Sequence, residues 1–590
     1  MARSSVATAF LLASVLASSA RAGTIYVNIA QTTGANDGTS WADAFQGVDG
    51  VQSALTAAVV GDQIWVAQGL YKPTAGTSRT STLSQPYSVD LYGGFVGTET
   101  VIDQRDWVAH PTILSGDLND DDGLGIYTDN SFHVLTESSN GYVLDGFTVQ
   151  GGNADGPSAS NQDRGGGLFS DATGSPTNVN IRHCIFRENR AVRGGACYVL
   201  FSNPIFTDCR FEANVGGSSG GAICTDGGAN TRCRSCVFTG NSAGRGGAIE
   251  IVGNSQAKIT NCVLWNNTAT GLGGGGGIFI DNAPSYLPEI RQCTIWGNHS
   301  SLDPVGGVVA SAGTTLANDI IYSNDGPGGA MGLGNNVSGT CAWCCVQGIA
   351  GGAGNIAADP LLSNPAAGDF HISQFSPCAD AGNNGYVPSA TPGDFDQNPR
   401  IADDTLVPDT GVGTPPIVDM GAYEVQNSLY TVFCAGDGTL VTPCPCGNSG
   451  AAGRGCANST PSSTGARLAV AGVSTPDNVV LNASGMLPSV SCIFLQSDVQ
   501  DPNGFVFGDG VRCVTGSIKR MFVKTASAGS ASAPGAGDPS VSARSASRGD
   551  PIAPGSLRYY QVYYRDPAPS FCPAPAGDDW NVTNGAIVSW

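Results

Sequence analysis

Histidine and methionine are scarce in this 590-residue chain, five of each, and charged residues make up only 13% of it. So small a charged fraction excludes a disordered polyelectrolyte and argues against a helix-rich intracellular enzyme. Basic side chains are the scarcer sign, 27 Lys and Arg against 48 Asp and Glu. A net charge of −21 leaves no basic surface for phosphates, so no nucleic-acid partner is expected. No stretch approaches the roughly 20 apolar residues of a membrane helix, so the chain is not expected to be an integral membrane protein. Glycine is abundant, 83 residues without a strict triplet period, which excludes collagen. With Ser, Thr, Asn and Val it points to many short strands and turns.

Residues 1–22 read as a secretory signal. Arg3 lies in a short basic start, an apolar run extends from Val6 to Leu16, and Ala20-Arg21-Ala22 forms a small-x-small cleavage site before Gly23. No Cys follows that site, which argues against a lipid anchor. The mature chain is expected to be secreted or held at the cell surface. Its 19 cysteines are then expected to be largely oxidised, the odd count leaving at least one free or paired between chains.

The middle of the chain repeats. Cys-x-apolar-x-x-Asn occurs at Cys184 to Asn189, Cys209 to Asn214, Cys236 to Asn241, Cys262 to Asn267 and Cys293 to Asn298; a degenerate copy runs from Asp319 to Asn324. Successive Asn positions differ by 25, 27, 26, 31 and 26 residues. A second ladder places Gly-Gly at Gly194, Gly220, Gly246, Gly276 and Gly306. A period between roughly 20 and 50 residues indicates a solenoid, and parity makes this one of strands. Cys and the second residue after it (Phe186, Phe211, Phe238, Leu264, Ile295) share one face; Arg187, Glu212, Thr239, Trp265 and Trp296 take the other. The chain is then expected to turn at Asn or Gly, which tolerate a left-handed backbone. Stacked at about 4.8 Å per rung, these positions make internal ladders, the logic of a parallel β-helix.

These residues resemble secreted bacterial right-handed parallel β-helix proteins of the pectin-lyase-like fold. The opening segment, Ile25 to Val27, Asn36 to Trp41 and Gly61 to Tyr71, is similar to the start of such proteins, as is Tyr92 to Phe95 through Thr112 to Asp117. Between them, Phe45 to Val59 reads as an amphipathic helix capping the first coil. The exit, Ser376 to Gly382, Asp396 to Arg400 and Asp419 to Glu424, resembles a choice-of-anchor element of surface proteins. The expected order is a cap with the first coils at 23–130, repeats at 131–375, an exit segment at 376–426 and a smaller disulfide-rich β-domain at 430–590. That last domain resembles a Cys-rich module of exported planctomycete-type proteins. Cys434, Cys444, Cys446 and Cys456 open it, and export favours two disulfides there over a zinc site. The runs Leu468 to Ala471, Val479 to Asn482, Ile493 to Gln496, Met521 to Lys524 and Tyr559 to Tyr564 read as strands, and Ala526 to Ser556 as an exposed loop. That loop includes Arg548-Gly549-Asp550, an integrin-type tripeptide short enough to arise by chance. The fold class is therefore all-β: a right-handed parallel β-helix followed by a small disulfide-rich β-domain.

The resemblance implies polysaccharide chemistry, either calcium-assisted β-elimination with an Arg or Lys base or hydrolysis between two carboxylates. Arg164, Arg193 and Arg245 each precede Gly-Gly and could form one ridge; the bland alternative is a solvated ladder multiplied by repetition. Asp226, Glu250 and Asp281 follow the Gly-Gly steps at offsets that differ, as catalytic acids or as turn-forming ones. No Gly-His-Gly, Asn-Thr-Asp or Asp-His stretch of the family's enzymes occurs. Asp117, Asn119 and Asp121 offer hard oxygens for calcium, against a solvated acidic turn. The expectation is an exported protein whose β-helix binds extracellular polysaccharide or a cell-envelope component, or acts as an adhesive or structural spacer; the alternative is a polysaccharide lyase or glycoside hydrolase.

Overall fold

The computed structural model describes residues 22–590 apart from 138–140, 174–177, 328–335, 349–350, 373–375, 390–392, 403–406, 427–429, 472–473, 475–476, 554, 569–570 and 574–575. The signal sequence expected at the N-terminus lies outside the described residues but for Ala22. The chain divides into two compact units, residues 1–426 and 427–590.

The first unit is a parallel β-solenoid. Each central rung visits four sheets in turn. Asn180–Arg182 lies in an 11-stranded sheet A, Ile185–Arg187 in a 10-stranded sheet B, Arg190–Arg193 in a 6-stranded sheet D and Cys197–Leu200 in a 9-stranded sheet C. Ile205–Thr207 then returns to sheet A beneath the first strand. Register follows the repeat: Phe186 pairs with Phe211, Phe211 with Phe238, Phe238 with Leu264, and Leu264 with Ile295. All five are buried, and the phenyl rings stack at 5.2 and 4.7 Å. Each such side chain contributes about 1.5–3 kcal/mol, so the inward column alone is a large part of the core.

The repeat Asn residues form a second internal column. From Asn189 through Asn214, Asn241, Asn267 and Asn298 to Asn324, each Nδ2 donates to the next Oδ1 at 2.9–3.1 Å. This corrects the expected corner in part: it falls on Asn or Gly in three of six rungs and never on the repeat Asn itself. The left-handed residue is the one before each Asn, namely Glu188, Ala213, Gly240, Asn266, Gly297 and Ser323. The ladder Asn turns its amide inward to bridge rungs, and the strain moves one residue back. The glycine ladder is also corrected. Ile249 pairs with Ile278 and Ile278 with Val308, so Gly276 and Gly306 stack on Gly247, not on Gly246. In this second column a methyl group would strike the neighbouring rung: a Cβ on Gly221 would lie 2.1 Å from the Gly247 carbonyl oxygen.

The opening helix is shorter than expected, Gly50–Ala57. Phe45 instead bridges to Val27, and Gly47 is left-handed, so the helix cannot start earlier. Val51, Ala54 and Leu55 still cover the end of the core. The cysteines are also corrected. Six of 19 are in disulfides and thirteen are free, twelve of them buried. The repeat cysteines face inward and donate to carbonyls, as Cys184 does to Arg182 at 3.1 Å, so they pack as thiols.

After the last rung, Leu362–Asn364 and Asp369–Ile372 form a hairpin, and the chain to residue 426 folds back on the outer face of sheet B. Phe370 meets Trp265, Ala422 N–H donates to Thr294 Oγ1, and Asn261 Nδ2 donates to the Gly393 carbonyl. The outward tryptophans of the repeat are thus covered.

In the second unit a six-stranded sheet places Ser491–Ser497 between Leu557–Arg565 and Lys519–Thr525. Only Cys444–Cys456 joins two cysteines of the opening group; Cys434 pairs with Cys513 and Cys446 with Cys572, tying the N-terminal loop to the strand Gly510–Thr515 and to the loop before Trp580–Val582. The expected loop at 526–556 holds a strand, Ala531–Ala533, and a helix, Val541–Ser547. Ser540 caps that helix by accepting from Ala543 N–H, and Val541 and Ser545 are buried. The Asp550 carboxylate of the Arg-Gly-Asp tripeptide is held by Arg558 and Gln496, both at 2.7 Å.

Candidate functional site

Of the five residues expected to carry catalysis, all on sheets C and D, Arg193, Arg245, Asp226 and Glu250 are linked around Tyr198 and Cys224, whereas Asp281 stands outside that group. Arg164 bridges to Arg193, Arg193 pairs with Ser219, and Ser219 with Arg245. The arginine ridge is therefore interrupted, and Arg193 and Arg245 stand two rungs, about 10 Å, apart. Asp226 aligns with Leu200, and Asp281 with Val252, two positions beyond the strand column of Glu250. Glu250 instead pairs with Cys224 and Phe279. Asp226 accepts from the Tyr198 hydroxyl at 2.7 Å, and Asp281 is exposed. Glu250 is 1% exposed although it points away from the core. Its Oε1 lies 3.0 Å from Arg245, close but not aligned for a hydrogen bond, and its Oε2 accepts from Cys224. Burial pushes the Glu250 carboxyl up, against the pull of Ser219 and Arg245. The pair thus joins a buried carboxylate to a guanidinium whose side chain is partly exposed.

The acidic loop does converge. Oxygens of Asp117, Asp121 and Asp129 lie within 4.8 Å of one another. Asn119 is turned to Asp129, its Nδ2 donating at 2.5 Å, so Asp129 takes the place expected for Asn119. Asp120 is drawn off to Lys72 at 2.8 Å. Burial first, and then the neighbouring charges of Asp117, Asp129 and Asp121, push the Asp122 carboxyl up to about 6. Buried oxygens of Asp121, Asp129 and Asn130 have no hydrogen-bond partner. Hard oxygens crowded in this way fit a divalent cation such as calcium.

A third site was not legible as a motif. On the outer face of sheet B the column Ile113, Thr148, Ile185, Arg210 floors a cleft of about 410 Å³. Trp107, stacked on His183 at 4.3 Å, and Arg187 also line it, and Arg210 of the floor is ion-paired with Glu212 at 2.7 Å. His183 Nδ1 lies 2.8 Å from Asp145, and its Nε2 is 3.9 Å from Asp208. Asp145 is buried and also holds Arg105 at 2.9 Å and Arg182 at 3.1 Å. Burial opposes its ionisation, yet the His183 hydrogen bond and the Arg105 charge keep its carboxyl below the usual range. Asp208 is raised, mainly by burial. The folded-back segment closes one end of this cleft, where Gln397 donates to Asp208 at 3.3 Å. His183 and Asp208 are the residues just before the repeat Cys, a left-handed corner otherwise filled by Ser235, Asn261, Gln292 and Asn318. A histidine at that corner was the available signal.

A protein-family model described as a right handed beta helix region matches residues 124–342. Metabotropic glutamate receptor-like protein R of Dictyostelium discoideum is 34% identical over 139 residues, 23% of this chain; the match spans only 8% of that protein. The crystal structure of pectate lyase Pel9A aligns with 13% identity and a TM-score of 0.37, over 68% of this chain and 96% of that one. The family match and the parallel register of sheets A to D together make the repeat region of this chain a right-handed parallel β-helix.

Proposed function

We propose that the β-helix binds an extracellular polysaccharide along the uncovered half of the outer face of sheet B. The observation that carries this reading is the cleft itself, lined by Trp107, His183, Arg187 and Arg210 in a chain whose net charge is −21. It spans four strands, about 14 Å along the helix axis, room for a few sugar residues of a chain-like ligand. The arginines favour an acidic glycan, because guanidinium and carboxylate match in charge and fork geometry. Three disulfides accord with an oxidising compartment, and among the described residues no helix is long and apolar enough to cross a membrane. In this reading Asp117, Asp121 and Asp129 hold a calcium ion that ties the loop to the start of the helix.

A second reading, a lyase or hydrolase, is favoured by one feature, the line Asp145, His183, Asp208. A buried carboxylate fixes the imidazole, and its free edge faces the cleft beside two arginines, an arrangement able to move a proton. Incubating residues 23–590 with acidic and neutral polysaccharides, with calcium or chelator, tests both. Retention that is lost in Arg187→Gln/Arg210→Gln, without new chain ends, supports the binder. New reducing or unsaturated ends that vanish in His183→Ala would establish the enzyme. Neither signal would sink both readings and leave a spacer.

A further inference from the structure

The C-terminal unit has its own pocket, of about 550 Å³, beside the hairpin of Val499–Phe507 and Gly510–Thr515. Phe507, Tyr563 and Trp580 build one wall, with ring centroids 5.8–6.5 Å apart. Arg512 and Arg520 supply the charge. The Arg512 guanidinium lies 4.6 and 4.5 Å from the centroids of Phe505 and Phe507, and its Nε is buried without an acceptor. Among the described residues, the ion pairs of this unit join Lys524 and Arg544 to Asp538, Arg558 to Asp550 and Arg565 to Asp579, and leave both pocket arginines without a carboxylate. The acids next to Trp580 are also engaged elsewhere. Asp579 takes Arg565, and Asp509 accepts from the Asp578 N–H.

A cation partly withdrawn from water with no counter-charge is unfavourable unless something else meets it. In a chain with 48 acidic residues against 27 basic ones, two unpaired arginines in one aromatic pocket are a selective feature. A bare inorganic anion has no use for the aromatic wall, and a neutral sugar has none for the arginines. We infer that this pocket binds a sugar residue bearing an oxyanion, a carboxylate or a sulfate: its ring lies against the aromatic wall and its charge is forked by Arg512 and Arg520. The site is built wholly from residues of the second unit and shares none with the solenoid cleft.

The test titrates residues 23–590 with trigalacturonate, its methyl ester, a sulfated disaccharide and sodium sulfate, by calorimetry and tryptophan fluorescence. One of the two charged sugars is expected to bind and to change Trp580 emission, the ester to bind far more weakly. Arg512→Gln should weaken binding about tenfold or more, the loss of a charge-assisted bidentate contact. Arg520→Gln is exposed and should fold normally, so it tests the charge even if Arg512→Gln does not fold. Arg187→Gln/Arg210→Gln removes the solenoid cleft's share of trigalacturonate binding, so the titrations are repeated in that background, where the binding lost on adding Arg512→Gln or Arg520→Gln belongs to this pocket. Equal binding of ester and acid, sulfate ion binding as tightly as the sugars, wild-type affinity in both arginine variants, or no binding at all would each overturn the assignment.

Discussion

Removing one rung of the asparagine ladder should have a large and local effect. Asn241 is fully buried, and its Oδ1 accepts from the Asn214 N–H at 3.0 Å and from Asn214 Nδ2 at 2.9 Å. Its Nδ2 donates to the Phe211 carbonyl and to Asn267 Oδ1, both at 2.9 Å. In Asn241→Ala the Asn214 N–H loses its acceptor and the Phe211 carbonyl loses a donor, in a column sealed from water. Each buried group left unsatisfied costs about 1–3 kcal/mol, so a loss of about 3–5 kcal/mol is expected once the small cavity is added. Urea unfolding followed by circular dichroism measures the total. Hydrogen exchange should place the lost protection at residues 209–214 and 236–241, since a solenoid rung contacts only its neighbours. Asn241→Asp keeps acceptor oxygens but loses both donors, and should be similarly unstable at neutral pH. A loss below about 1 kcal/mol, or one spread evenly along the helix, would refute the view that the amide column holds the rungs in register.

Three further outcomes are expected. Gly221→Ala should destabilise by about 3 kcal/mol or more, because its Cβ would meet the Gly247 carbonyl at 2.1 Å, whereas Gly228→Ala, with no neighbour nearer than 3.9 Å, should cost about 1 kcal/mol from its left-handed backbone alone; thermal melts compare the two. Calcium at a hundredfold excess over its dissociation constant should raise stability by about 2.7 kcal/mol, an increment that chelator or Asp121→Asn removes in calorimetric scans. His371 sits between Asp369 and Asp396, each at 2.6 Å; burial works against its charge, but those carboxylates win and raise its pKa. The clamp therefore stabilises the folded-back segment fully below the ordinary histidine pKa, and that gain fades as pH rises through the raised value. For this half-exposed group it amounts to about 0.5 kcal/mol after solvent screening, seen as a pH-dependent stability difference between wild type and His371→Gln.

Much of the solenoid was legible because repetition amplifies a local signal. A side chain every 25 to 31 residues with the parity of a strand can satisfy its burial only by stacking on its own copies, so the inward Phe, Cys and Asn columns follow from one-dimensional spacing. The second unit's strands were legible for a similar reason, alternation bounded by turns, although the helix at 541–547 was hidden in an Ala- and Ser-rich stretch until its cap and buried face were seen.

Register was the limit of that local signal. An inserted loop of a few residues moved Gly276 and Gly306 by one column, and spacing alone could not say on which side of the Gly-Gly the insertion fell. The candidate sites show the same division. Asp117 and Asp121 are near neighbours in sequence and were found together, but Asp129 joined them only through a loop returning on itself. Asp145, His183 and Asp208 come from three successive turns, 38 and 25 residues apart, and no motif links them. Arg512 and Trp580 are further apart still, brought together by a hairpin and a late edge strand. Sequence by itself determined the β-helix, its inward ladders and its acidic loop, because those depend on spacing within a repeat. Tertiary structure decided which outward faces stay open, because the folded-back segment covers Trp265 and stops at Asp208, and only that packing leaves a cleft beside His183.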